Sequence, residues 1–201
     1  DYNWNSVCNG GLSVGACALI GEREADQSKL ETLLSYTSEG IVNAFETFGE
    51  SGGWPEGYNY WNYNTRYLAY YLTSMLNTLD GTAMGVNGGI PDVDGFPAAG
   101  NFPMAMTGAR GVFNYADAGS GTKSHPVLFW LARQFDEPAW AAFQRNRVGD
   151  RGDVTDLLWY DPDSVGSVQN KPRDMYFGGV EVASLRTDWG ADELRAGTRR
   201  A

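Results

Sequence analysis

The sequence predicts a mainly α-helical fold in which paired helices stack as hairpins, with β-strands only near the end. Over most of the 201 residues, segments with apolar residues at helical spacing alternate with loops rich in glycine and proline. Alternation of apolar and polar residues at period two, which indicates strands, begins only after about residue 170. We therefore expect a helical part at residues 1–165, then a linker and the incomplete start of a β-domain at 166–201.

Each element follows from its local pattern. Residues 3–6 (Asn-Trp-Asn-Ser) offer N-cap side chains for a helix over 7–20, and the apolar repeat of 28–48 predicts one amphipathic helix. A third helix runs from about Asn59 to about Asp80. Shorter helices are predicted at 98–106, 126–135, 138–147 and 154–160, a loop at 85–97, an extended segment at 111–119 and a β-hairpin around Gly178-Gly179.

Composition narrows the function classes. The formal net charge is -10, from 15 Lys+Arg and 25 Asp+Glu, which argues against a nucleic-acid partner. No apolar run is long enough to span a bilayer, so no membrane partner is predicted. Seven Trp and eleven Tyr favour a flat, amphipathic ligand such as a sugar. Because the chain starts at Asp1 and ends in what looks like an interrupted element, we expect a fragment of a longer protein.

The two cysteines, Cys8 and Cys17, are predicted to be small buried hydrophobes. Nine residues along one helix separate them by about 13 Å along its axis, too far for a disulfide. With one histidine in the sequence and no CxxC or HxxxH spacing, no metal site is predicted within this chain. That histidine, His125, precedes Pro126 at a predicted helix start, where a capping or loop role competes with a catalytic one.

The segment at residues 52–67 carries the strongest functional signal. Gly-Gly-Trp-Pro-Glu-Gly forms a turn, and the helix that follows places Tyr60, Asn64, Tyr67 and Tyr71 on one face. Trp61, Thr65 and Leu68 begin an adjacent apolar face. Aromatic rings with polar tips beside a buried face are typical of a carbohydrate subsite. The alternative is a helix whose tyrosines merely lie at a domain surface.

Four carboxylates on predicted loops are candidates for a glycosidase pair: Glu56, Asp92, Asp94 and Asp117. Glu56 is the obvious acid because it lies close to Tyr60 in sequence. It could equally be a carboxylate that stabilises a helix N-terminus.

Several segments, in order along nearly the whole chain, resemble the heparinase II/III-like polysaccharide lyases. They are residues 3–11 (NWNSVCNGG), 52–57 (GGWPEG) with 60–63 (YWNY), Phe113-Asn114 with 117–119, the helix at 127–133, and 178–186 with Trp189. The resemblance implies part of an incomplete (α/α) toroid followed by the first strands of an antiparallel β-sandwich, with the site between them. It also implies a periplasmic or secreted protein that acts on an acidic polysaccharide or oligosaccharide, and the remainder of its own β-sandwich as a partner.

The implied reaction is β-elimination across the C4–O bond of a uronate. The proton on C5 becomes acidic only when hydrogen bonds neutralise the neighbouring carboxylate, and Asn3 and Asn5 are the candidates for that role. Tyr60 matches the family's catalytic tyrosine, which removes this proton or protonates the leaving oxygen. A free phenol has a pKa of about 10, so a tyrosine base requires nearby donors or positive charge, for which Arg66 and Arg110 are the candidates. Six further residues complete the predicted substrate-binding set: Trp4, Trp54, Glu56, Tyr58, Trp61 and Asn64.

The sequence departs from the family where members often have histidine after the first asparagine, because Trp4 stands there. Trp4 cannot transfer a proton, so His125 or the absent β-domain has to supply any second acid or base. The family's structural metal has no ligands in this chain and is expected only in the missing β-domain. Two alternatives remain open. One is a toroid glycoside hydrolase using Glu56 with Asp117 or Asp92, and the other is a non-catalytic glycan-binding relative.

Overall fold

Amphipathic segments make the protein mainly α-helical, with small antiparallel sheets. The computed structural model describes residues 2–79, 90–109, 111–119, 124–148, 152–190 and 195–199. Within them the helices are α1 Tyr2–Leu19, α2 Gln27–Gly40, α3 Val42–Glu46, α4 Tyr58–Thr78, α5 Gly95–Ala98, α6 Asn101–Met106, α7 Val127–Gln134, α8 Pro138–Val148 and α9 Val154–Trp159. The strands are β1 Thr107–Gly108, β2 Gly111–Val112, β3 Met175–Phe177, β4 Val182–Arg186 and β5 Arg195–Arg199.

The chain divides into two compact units. One contains residues 1–47 and 63–93, and the other contains residues 48–62 and 94–201. Helix α4 therefore contributes its first five residues to the second unit and the rest to the first. None of the described helices combines the length and apolarity that a membrane crossing requires.

In the first unit, α1 packs closely against α4. A Cβ at Gly10 would lie 3.1 Å from the carbonyl oxygen of Tyr67, so glycine is what permits this approach. Buried Leu34, Ile41 and Phe45 supply apolar side chains from the α2–α3 segment.

Three expectations about the first unit are wrong. Helix α1 begins at Tyr2, so residues 3–6 lie inside it and do not cap it, because tertiary packing overrides their weak helix propensity. The helix expected over 28–48 is divided at Ile41. Gly40, against the side-chain amide of Asn9, ends its first part. Cys8 is exposed, although Cys17 is buried as predicted.

In the second unit, α7, α8 and α9 confirm the helices predicted at 126–135, 138–147 and 154–160. Pro138 is the first residue of α8, where its missing N–H costs nothing. Helix α6 confirms the short helix expected at 98–106, over a shorter span. Part of the loop expected at 85–97 is helical, because Gly95–Ala98 forms α5, and residues 85–89 lie outside the described residues.

The predicted hairpin is confirmed: β3 and β4 are antiparallel, with Phe177 opposite Val182. Strand β5 extends the sheet in the order β3-β4-β5, and the pair β1–β2 was not predicted from the sequence. The Arg186 guanidinium of β4 donates 2.9 Å hydrogen bonds to the carbonyl oxygens of Met104 and Thr107, at the end of α6. This contact fixes the sheet to the C-terminal end of α6 in the same unit.

Candidate functional site

The turn that leads into α4 is held by glycines with positive φ. Gly57 has φ +88, and a Cβ there would lie 2.6 Å from the carbonyl oxygen of Tyr115 and 2.7 Å from Cβ of Ala118. The phenol of Tyr115 donates a 2.5 Å hydrogen bond to the carbonyl oxygen of Trp54. The loop at residues 113–119 therefore packs directly on the turn, and only glycine fits at position 57.

Three aromatic residues expected to bind substrate lie in the core. Trp54, Tyr58 and Trp61 are each 0% exposed, so in this conformation none of them reaches a sugar. Large aromatic side chains contribute most to the free energy of folding when they are fully buried, and here that contribution decides their position. In this conformation the three residues can contribute only as a packed support for neighbouring polar side chains.

His125 lies in the same core. Its ring is 4.5 Å from that of Tyr58 and 5.6 Å from that of Trp61, measured between centroids, and the residue is 0% exposed. Its backbone N–H donates to Oε1 of Gln144 at 2.9 Å. A ring this deeply buried cannot exchange protons with a polysaccharide, so His125 can support the start of α4 but does not act on the sugar from this position.

Tyr60, by contrast, is only half-buried. It lies in the first turn of α4, where the partial positive charge of the helix N-terminus favours nearby negative charge. In helices the Cα–Cβ bond also tilts towards that end. The predicted catalytic tyrosine is therefore partly accessible to solvent.

Four side chains next to Tyr60 in sequence carry buried polar atoms with no hydrogen-bond partner among the described residues. These atoms are Nε1 of Trp54, Oε2 of Glu56, Oδ1 of Asn59 and Oδ1 of Asn62. An orphaned buried polar group costs about 1–3 kcal/mol, so native proteins keep few of them outside functional sites. Asn59 and Asn62 were missed as site residues by the sequence analysis. Their i, i+3 spacing places both amides on one face of α4, which is the signal that would have found them.

The carboxylates expected to form a pair differ in their surroundings. Glu56 is half-buried, whereas Asp117 is exposed on the loop at 113–119. A Cβ at Gly119 of that loop would lie 3.1 Å from Nδ2 of Asn59, so the loop of Asp117 and the first turn of α4 are neighbours. Asp92 and Asp94 are exposed, and Asp94 lies at the start of α5.

The predicted residues of α1 lie in the other unit. Asn3 is buried, Asn5 is half-buried and Trp4 is 68% exposed. Because α1 includes all three, Asn3 and Asn5 point about 160° apart around its axis. Nδ2 of Asn5 donates to the carbonyl oxygen of Gly40 at 2.8 Å, which leaves Oδ1 without a partner among the described residues. The second N–H of Nδ2 is not used by this bond, so the Asn5 amide keeps one donor for its predicted contact with a carboxylate.

The face of α4 expected to be open is closed in the first unit. Asn64 is 0% exposed, and Tyr71 is buried with its phenol 3.1 Å from Oγ of Ser38. Burial raises the pKa of the Tyr71 phenol, an effect that the Ser38 hydrogen bond partly offsets. Arg66 is half-buried, with its guanidinium carbon 5.6 Å from the centre of the Tyr63 ring. Arg110 lies outside the described residues.

A pocket of 640 Å³ lies elsewhere in the second unit, lined by Phe129, Arg145, Val148, Gly152, Asp153, Val154, Asp156, Leu157 and Tyr160. None of the predicted site residues lines it. Its size alone does not make it the site, because its carboxylates already have partners: Asp156 accepts from Gln144 at 2.7 Å, and Asp153 caps α9. Among the described residues, no group of three or more His, Cys, Asp or Glu side chains is placed to hold a metal ion.

No protein-family model matches this chain, and no curated protein matches it significantly.

Proposed function

We propose that the protein is a polysaccharide lyase that cleaves a uronic-acid-containing chain by β-elimination, with Tyr60 as general acid and base. The observation that carries the proposal is the half-buried Tyr60 in the first turn of α4, beside four side chains whose buried polar atoms lack partners among the described residues. Such atoms fit a site that is completed by a hydroxyl-rich ligand or by ordered water. The choice of a lyase comes from the resemblance of the surrounding sequence to the heparinase II/III-like family.

In the proposed reaction the Tyr60 phenolate removes the proton on C5. The electron pair of the C–H bond forms the C4–C5 double bond, and the C4–O bond breaks. The leaving oxygen takes up a proton, which the Tyr60 phenol can return. Negative charge builds up next to the uronate carboxylate during this step, so hydrogen-bond donors at that carboxylate lower the barrier.

Within the second unit, the side-chain amide of Asn59 is half-buried next to Tyr60 in sequence, and its Nδ2 can supply such a donor. Asn3 keeps the role implied by the family resemblance as a prediction. Asn5 keeps it as well, through the N–H of Nδ2 that does not bond to Gly40. We further propose the architecture of the family, an incomplete toroid followed by a β-sandwich, and a periplasmic or secreted location.

A glycoside hydrolase is the second candidate, and Glu56 favours it. The buried Oε2 of this carboxyl has no partner among the described residues, and the loop that carries Asp117 packs on the adjacent Gly57. A hydrolase generates reducing ends without a double bond. The two reactions are therefore separable with one set of polysaccharides.

The test uses a panel of uronic-acid polysaccharides and follows both ultraviolet absorbance of the C4–C5 double bond and new reducing ends. We expect absorbance to rise, and Tyr60→Phe to reduce the rate at least about 100-fold, because the phenyl ring cannot transfer a proton. Tyr36→Phe, at an exposed tyrosine of α2, is the matched control and should keep the rate. Reducing ends without absorbance, lost in Glu56→Gln, would replace the lyase by the hydrolase. Full activity in Tyr60→Phe would remove Tyr60 from the mechanism.

A further inference from the structure

A second polar surface runs along α4 within the first unit. Tyr63, Arg66, Tyr67 and Tyr70 follow one another at positions i, i+3, i+4 and i+7, so they form one stripe, which we name the tyrosine stripe. All four side chains are half-buried. The stripe covers about 10 Å of helix, and its hydroxyls and guanidinium lie at the tips of flat rings and long stems.

Ring contacts hold the stripe in place. The rings of Tyr63 and Tyr67 are 5.3 Å apart at 74°, and those of Tyr67 and Tyr70 are 5.9 Å apart at 74°. A hydrogen bond with Tyr67, more than burial, raises the pKa of the Tyr63 phenol. The ring contacts therefore hold these phenols in fixed positions, which reduces the entropy lost when they bind a ligand.

Arg66 supplies the charge of this surface. It is the sole charged residue of α4, a 21-residue helix without a carboxylate in a protein of net charge -10. Its guanidinium stacks on Tyr63, and within the described part of the chain no salt bridge involves it and its buried Nε has no hydrogen-bond partner. A guanidinium held by a ring and left without an anion is suited to a bidentate contact with a carboxylate.

We propose that the tyrosine stripe binds a uronate residue of an acidic oligosaccharide, with Arg66 holding its carboxylate and the phenols of Tyr63 and Tyr67 contacting its hydroxyls. Charge complementarity selects this occupant, because the one cation of the helix has no carboxylate beside it on α4. The inference deepens the proposed function and depends on it for the substrate class. It does not require that Tyr60 perform elimination.

The experiment measures binding in a Tyr60→Phe background, so that the probe is not consumed. The probes are short oligouronates of gluco, galacto and manno configuration, each compared with its methyl ester, which keeps the sugar and removes the charge. We expect at least one oligouronate to bind more tightly than its ester. Arg66→Met should weaken that binding about tenfold or more and abolish the preference for the free acid, because a charge-assisted hydrogen bond is lost. Arg66→Lys should retain part of the preference.

Arg23→Met removes the same charge from an exposed turn of the same unit and should leave binding unchanged. Circular dichroism on every variant separates lost binding from lost folding, and Tyr67→Phe, which keeps the ring, provides a milder test of the phenol. Equal binding by the Arg66→Met variant, or no oligouronate preferred over its ester, would overturn the inference. Binding through Arg66 without elimination by the unmutated protein would uphold the stripe and refute the lyase proposal.

Discussion

Two fully buried side-chain amides allow the cost of burying a polar group without a hydrogen-bond partner to be measured. Asn64 and Gln144 are both 0% exposed. Neither amide atom of Asn64 has a hydrogen-bond partner among the described residues, whereas Gln144 accepts from the backbone of His125 and donates to Ser124 and Asp156. The same type of group is therefore orphaned in one unit and satisfied in the other.

Replacing each amide by an apolar side chain of similar shape should have opposite effects. Asn64→Leu removes a polar group that costs about 1–3 kcal/mol to bury without partners, so the free energy of unfolding should rise by that amount. Gln144→Met removes three hydrogen bonds and leaves buried partners unsatisfied, and we expect a loss of about 3–5 kcal/mol. The opposite signs of the two changes in the free energy of unfolding, more than their sizes, test whether the Asn64 amide is buried without a partner.

Urea unfolding followed by circular dichroism gives both values, and thermal unfolding should show a rise of about 2–12 °C for Asn64→Leu. A marked loss of stability in Asn64→Leu would refute the reasoning, because it would mean that water or another group satisfies this amide. An unchanged free energy of unfolding in Gln144→Met would show that the three hydrogen bonds of Gln144 make no net contribution to stability.

Two further predictions concern single positions. Gly57→Ala places a side chain at φ +88, against Tyr115 and Ala118. It should lower the free energy of unfolding by about 2 kcal/mol or more and should also lower the lyase rate. Wild-type stability and rate in this variant would show that the loop at 113–119 does not pack on this turn. Burial holds the pKa of Tyr71 above its ordinary value of 10.0, so its contribution to stability is complete below that pH and is lost as the pH rises through the raised value. The loss of stability at alkaline pH should therefore be less steep in Tyr71→Phe than in the unmutated protein. An unchanged slope would show that other groups cause this loss.

Local pattern was sufficient to predict most of the helices. The apolar spacing of residues 127–134 and the proline at 138 are signals carried by neighbours in sequence, and so is the period-two alternation at 175–186. The break at Ile41 escaped prediction because apolar spacing continues through it. At Gly40, the last residue of α2, a Cβ would lie 3.0 Å from Nδ2 of Asn9 in another helix, a contact that the sequence around position 41 does not record.

The candidate site was predicted as a segment and only partly as residues. Tyr60 is half-buried, but the aromatic residues expected to contact a sugar are buried, while Asn59 and Asn62 carry the orphaned oxygens that the sequence analysis passed over. Successive helical positions differ by about 100° around the axis, so neighbours in sequence face opposite surroundings. Which of them becomes core depends on what packs there.

The sequence by itself determined the helical character of the protein, its acidic charge and the concentration of glycine, aromatic and amide residues at 52–67, because these depend only on composition and spacing. The tertiary structure alone decided which polar atoms of that segment find partners. Tyr115 reaches Trp54, and His125 packs on Tyr58, from positions more than 60 residues away. Burial depends on contacts between distant segments of the chain. The hydrogen bonding that distinguishes a packed side chain from one left open to a ligand depends on the same contacts.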